Sequence, residues 1–135
     1  MDYGKKPSVN NIPQMTLDNT DYRNTVWTGD YLQMTLMSIP IYSDIGPEIH
    51  KDTDQMIRIE RGMAMVEMGP SQKQMNMRKR MSVGDVLFVP AGTWHNIINI
   101  GKFPLKLSSI YGPPHHPFGT IHRTKMDALQ YSHES

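Results

Sequence analysis

The sequence predicts an all-β fold, an antiparallel β-sandwich barrel with a short C-terminal helix. Three observations carry this reading. Apolar and polar residues alternate in several short runs, the period of a strand with two unlike faces. Gly, Pro, Asn and Asp cluster between these runs at regular intervals, as in a chain that repeatedly turns back on itself. Helical periodicity is confined to "TKMDALQY" near the end, residues 124–131. At 135 residues the chain can build one domain with a real core, but not two.

Residues 1–22 are polar and rich in Asn and Thr, and are expected to form an N-terminal arm; residues 23–120 form the barrel, and 121–135 the C-terminal helix and tail. "RNTVWTG" and "YLQMTLMSIP" read as two strands around a turn at Thr28, Gly29 and Asp30. In the second, Leu32, Met34 and Leu36 alternate with Gln33 and Thr35. "SDIGPE" is a turn cluster. "QMIRIERG" places Gln55, Ile57 and Ile59 on one face and Met56, Arg58 and Glu60 on the other. "MAMVEMG" is its hairpin partner, followed by the polar hairpin region "PSQKQMNMRKRM". The strands "VLFVP", "NIINIG" and "LKLSSIYG" come next, and then the stiff loop "PPHHPFG". About ten short strands are expected.

Composition narrows the function. Fourteen Lys and Arg against thirteen Asp and Glu give a net charge of +1, and so no electrostatic case for nucleic acid or an anionic membrane. No apolar run approaches the roughly 18 residues of a spanning helix, and "MDYGKKPSVNN" lacks the apolar segment of a secretory signal. Zero cysteines exclude disulfides and thiolate chemistry, and make the cytoplasm the expected location. The twelve methionines are scattered, which suits gap-filling in core and interface better than soft-metal binding.

"GDVLFVPAGTWHNIIN", residues 84–99, carries the chemistry. Pro90 ends a strand because it has no N–H to donate, Gly92 permits a tight corner, and Asn99 can tie the chain beyond it by side-chain hydrogen bonds. His95, just past the corner, is thereby held by backbone geometry, as a metal ligand must be. A histidine in a turn is by itself most simply satisfied by a backbone carbonyl; the spacing points elsewhere. Gly84, Pro90, Gly92, His95 and Asn99 match G-x5-P-x-G-x2-H-x3-N at every fixed position.

The chain therefore resembles the small single-domain cupins over about residues 23–120. The resemblance implies a double-stranded β-helix barrel holding one metal, with His95 as a ligand. The upstream family motif is altered to E-x-H-x4-Q-x6-G, running from Glu48 through His50 and Gln55 to Gly62, with Gly46 nearer than the usual leading glycine. The implied ligands are then Glu48, His50, Gln55 and His95. Glu48 and His50 are expected two apart on a strand and so share a face. Gln55 shares its face with two isoleucines, where an amide without partners would be costly. The simpler alternative leaves Glu48 exposed on a loop and Gln55 bonded to backbone. A rival ligand set is His50, Asp52 and His95, the two-histidine, one-carboxylate arrangement of nonhaem Fe(II) oxygenases. In the first set Asp52 and Asp54 could instead support the histidines from behind.

Mixed nitrogen and oxygen ligands without sulfur suit Mn(II) best, with Fe(II) or Ni(II) as alternatives, and leave two positions for water or substrate. His115, His116 and His122 crowd residues 111–125. The loop can be a lid in which His115 or His116 acts as acid, base or substrate contact, or a surface loop packing the C-terminal helix. This stretch also resembles the tail of bacterial cupins labelled mannose-6-phosphate-isomerase-like, although no arginine cluster in the barrel strands signals a sugar phosphate. The expected function is a Mn(II)- or Fe(II)-dependent enzyme on a small molecule, of dioxygenase, isomerase or decarboxylase type. The alternatives are a non-catalytic cupin that binds or senses a metal or small ligand, and a structural or storage role. A homodimer is expected, through a sheet face or an exchanged N-terminal strand, with Met34, Met56, Met63 and Met65 as adaptable contacts.

Overall fold

In a computed structural model, which describes residues 1–134, the alternating runs become strands of two facing antiparallel sheets. The strands are β1 (Arg23–Thr28), β2 (Gln33–Ile39), β3 (Asp54–Arg61), β4 (Ala64–Gly69), β5 (Met77–Met81), β6 (Val86–Val89), β7 (Trp94–Asn99), β8 (Leu105–Gly112) and β9 (Ile121–His122). One sheet runs β6-β3-β8-β2-β1-β9 and the other β5-β4-β7. This is the expected β-sandwich, and the C-terminal helix follows as α2 (Lys125–Glu134). No helix among the described residues is long and apolar enough to cross a membrane.

Register explains what faces inward. Leu87, Ile57, Ser109 and Thr35 lie side by side across the large sheet, as do Val89, Gln55, Tyr111 and Gln33 one step along. Ile39, Ile59, Ala64, Leu105 and Leu107 fill one end of the interior, each 1% exposed or less. Fully burying such an aliphatic side chain contributes about 1.5–3 kcal/mol. The other end is polar: Gln33, Thr25, Thr35 and His95 are all wholly buried. The interior thus has an apolar floor and a polar mouth. Two turn devices hold the β3–β4 and β7–β8 ends of this floor. Gly62 takes φ +102 and sits where a side chain would press on Leu105. Asn99 donates to the carbonyls of Ile39, Pro40 and Phe103 and accepts from the N–H of Gly101.

One expectation is corrected. The arm over residues 1–22 contains a helix, α1 (Ile12–Asp18), so "TKMDALQY" is not the sole helical segment. Asn11 caps α1 by accepting the N–H of Gln14, a proline stands in its first turn, and buried Thr16 packs it down. The carbonyl of Asn19 just beyond it accepts from the Lys106 ammonium of β8. Seven residues are too few to form a helix alone in water, so tertiary contacts hold it. Nine strands are present among the described residues, in keeping with the expected number; most of the "PSQKQMNMRKRM" hairpin region is turn and only Met77–Met81 pairs.

Candidate metal centre

The corner after Pro90 is bolted to the segment before β3. The N–H of Gly92, at φ +80, donates to the His50 carbonyl at 2.8 Å, and the N–H of Ala91 donates to Asp54 Oδ1 at 2.8 Å. Glu48 and His95 then form an isolated antiparallel bridge, exchanging two backbone hydrogen bonds of 2.9 Å. Direct partners of this kind present side chains to the same face, and His50 follows two residues on. One ligand atom from each of Glu48, His50 and His95 lies within 4.8 Å of the others. His50 Nε2 is 3.4 Å from Glu48 Oε2, and the two imidazole centroids are 5.2 Å apart.

His95 Nδ1 lies 3.1 Å from the Thr93 carbonyl, which can only accept. The proton therefore sits on Nδ1, and Nε2 faces inward with a lone pair, buried and without a protein partner. Both ring nitrogens of His50 are also buried without a full hydrogen bond. Orphaned buried imidazole nitrogens beside a carboxylate are what a divalent cation would satisfy, so the residues fit a metal. Burial works to raise the Glu48 carboxyl, but the His50 contact and the nearby Arg23 guanidinium outweigh it and hold the group below the usual carboxylate range. Burial pushes the His95 imidazole below its ordinary value, only partly offset by the Thr93 bond. Both shifts favour the forms that bind metal.

A cavity of about 510 Å³ opens beside the cluster, lined by Arg23, Trp94, His115, His116 and His122 among others. Its roof is the loop after β8, pinned by wholly buried Gln33. Gln33 Oε1 accepts the N–H groups of both His115 and His116, and its Nε2 donates to the His116 carbonyl and Thr28 Oγ1. The His115 ring stands 4.1 Å from that of His50, and His116 Nε2 lies 3.4 Å from the Tyr111 hydroxyl. Burial, with added repulsion from His50, pushes His115 down to about 4. Burial and the Arg23 charge push His116 well below the usual imidazole range.

Among the residues expected at the site, the structure brings Glu48, His50, His115 and His116 to this cavity and gathers His95 with Glu48 and His50. Gln55 lies on the inner face of β3, where its Nε2 donates to Ser109 Oγ at 2.7 Å and its Oε1 is buried without a partner. Asp52 is exposed and outside the cluster, so the rival ligand set is not assembled. Asp54 bonds the Ala91 N–H and supports no histidine. Sequence reasoning missed Arg23, a buried cation in the cavity wall. A single arginine opening a strand looks like a solvated flank; only its register opposite Met37 and His122 turns it inward.

The family model described as "Cupin domain" matches residues 35–111. "Uncharacterized protein YrkC" of Bacillus subtilis (strain 168) is 52% identical over 128 residues, covering 95% of this chain and 69% of that protein. "Uncharacterized protein L612" of Acanthamoeba polyphaga mimivirus is 42% identical over 114 residues, covering 84% of this chain and 69% of that protein. The crystal structure of BH2720 from Bacillus halodurans is 47% identical, covers 96% of this chain and 98% of its own, and superposes with a TM-score of 0.94.

Proposed function

This chain belongs to the cupin domain family, and from that premise we propose that it is a metal-dependent enzyme acting on a small molecule. The observation that carries the reading is the cluster of Glu48, His50 and His95 at the wall of a cavity that also gathers His115 and His116. In this reading these three residues hold a divalent ion, and the unpartnered Gln55 Oε1 supplies a fourth, neutral oxygen. An N/O donor set without sulfur favours Mn(II), then Fe(II) or Ni(II). The ion would supply Lewis acidity toward a substrate oxygen, or dioxygen chemistry if it is Fe(II).

The chain's own groups do the rest. His95 is kept in one tautomer by Thr93. His115 and His116 line the cavity beside His50 and Tyr111, where they can contact a bound substrate. Trp94, Ile49 and Pro117 give part of the cavity an apolar lining. We place the protein in the cytoplasm, since a chain without cysteine draws nothing from an oxidising compartment.

Metal analysis of the purified protein, followed by turnover assays with small organic acids and monitoring of O2 uptake, tests the reading. About one divalent ion per chain and conversion of a substrate are expected. A protein that takes up no divalent metal on loading refutes it. Metal loading with tight ligand binding but no conversion would instead establish the binding or sensing role.

A further inference from the structure

Arg23 sits on the inner face of β1 with only 6% of its side chain exposed. Its guanidinium carries a positive charge and offers five N–H donors. Few of them are used. One terminal nitrogen lies 3.1 Å from His122 Nδ1, while Nε is buried without a partner. The other terminal nitrogen is 3.8 Å from Glu48 Oε1, beyond hydrogen-bond length. The Tyr22 ring covers one face of the group at 5.6 Å. A buried cation with idle donors is costly unless an anion meets it. Glu48 is its nearest carboxylate, and in the proposed function that charge is given to the metal.

The charges then decide the ligand. Arg23 and a divalent ion bring three positive charges against the single negative charge of Glu48, and no other Asp or Glu lines the cavity among the described residues. We propose that Arg23 anchors the carboxylate of a small organic acid whose other end reaches the metal. This rests on the metal-centre reading and names its substrate class. The planar fork of Arg matches the two oxygens of a carboxylate. A single lining arginine with no lining lysine is a poor match to a phosphate dianion, which needs more donors. The 3.8 Å separation of Arg23 from Glu48 keeps the anchor close to the metal ligands, so the bridging part of the acid must be short. Pro47, Ile49 and Trp94 offer apolar walls for its carbon body.

The test uses the full chain, metal-loaded, with calorimetric titration of lactate, its neutral analogue lactamide, and inorganic phosphate, and metal content measured in parallel. Wild type should bind lactate at least about 10-fold more tightly than lactamide. Arg23→Gln should keep its metal and lose about 10- to 100-fold in lactate affinity, as when a charge-assisted hydrogen bond is removed; Arg23→Lys should fall between. Lactate binding that is absent from wild type, or unchanged in Arg23→Gln, overturns the proposal. So does loss of metal in Arg23→Gln, which would make Arg23 a positioning residue for Glu48. Tighter binding of phosphate than lactate, with the same dependence on Arg23, overturns the assignment to carboxylates. If Arg23→Gln does not fold, the lactate–lactamide ratio and Arg23→Lys decide. If wild type takes up no metal, the proposed function fails by itself, and Arg23-dependent binding of lactate to the metal-free protein still supports the anchor.

Discussion

At the scale of single residues, His95 joins backbone geometry to site chemistry. Its N–H and carbonyl are tied to Glu48 and its Nδ1 to Thr93, so only Nε2 is left for a ligand. His95→Ala is expected to lose most bound metal, because water cannot replace a rigid imidazole without cost, whereas Asp52→Ala, at an exposed position outside the cluster, should retain it. Metal analysis after dialysis reads both; retention by His95→Ala with loss in Asp52→Ala would reinstate the rival ligand set. The loop histidines are expected to make folding depend on pH. His115 and His116 have folded-state values below the ordinary imidazole value of about 6.5. The unfolded chain therefore binds more protons below that value, and their contribution is full above it and declines as the pH falls. The thermal midpoint of the metal-free protein should drop between pH 7 and pH 5, and drop less in a His115→Gln, His116→Gln double variant. An equal drop in both proteins would show that other groups set the slope.

At the scale of elements, β2 reverses the usual polarity. Its inward positions include Gln33 and Thr35, while Met34 and Leu36 point to the outer side, where α1 lies against part of the large sheet. The polar inner face is what allows Gln33 to hold the roof loop by three hydrogen bonds, with a fourth to Thr28 of β1. Removing one member of a buried network leaves its partners unsatisfied, at about 1–3 kcal/mol. Gln33→Ala should therefore lower stability by about that amount and speed amide exchange over residues 113–119, while the exchange of β4 stays as in wild type. Unchanged exchange in the loop would mean that its prolines alone hold it. Gln33→Glu tests the same point differently, since its carboxylate still accepts from both histidine N–H groups but loses the two donor bonds.

At the scale of the whole molecule, the polar mouth and apolar floor are on the inside, and an apolar band crosses the outside. Phe88, Met56, Ile110, Met34 and Trp27 are consecutive cross-strand partners on the outer face of the large sheet. Phe88 is 68% exposed, and the other four are only partly buried. An exposed apolar band can pair with the same band of a second copy about a two-fold axis, and the homodimer expected from the sequence is proposed to form there. Sedimentation should give dimer mass at micromolar concentration, and Phe88→Arg should shift it to monomer mass without loss of metal. Monomer mass for wild type would refute the proposal.

The strand periods, the turn clusters and the motif from Gly84 to Asn99 were legible in the sequence because each is a local pattern: alternation, a missing N–H at Pro90, a glycine at a positive φ. They were enough to place His95 at a corner and to draw Glu48 and His50 to the same face. An Asn cap and a first-turn proline were too little to show α1, whose seven residues also depend on Lys106 and the sheet beneath them. Nor could it separate Asp52 from Glu48, since both are two residues from His50 and share its parity on an extended chain. The backbone bridge between Glu48 and His95, 47 positions apart, made that choice. Arg23 was hidden for the same reason. Whether a charged side chain faces solvent or a cavity depends on the register of distant strands, here the pairing of Arg23 with Met37 and His122, and register is a property of the folded chain rather than of any segment in it.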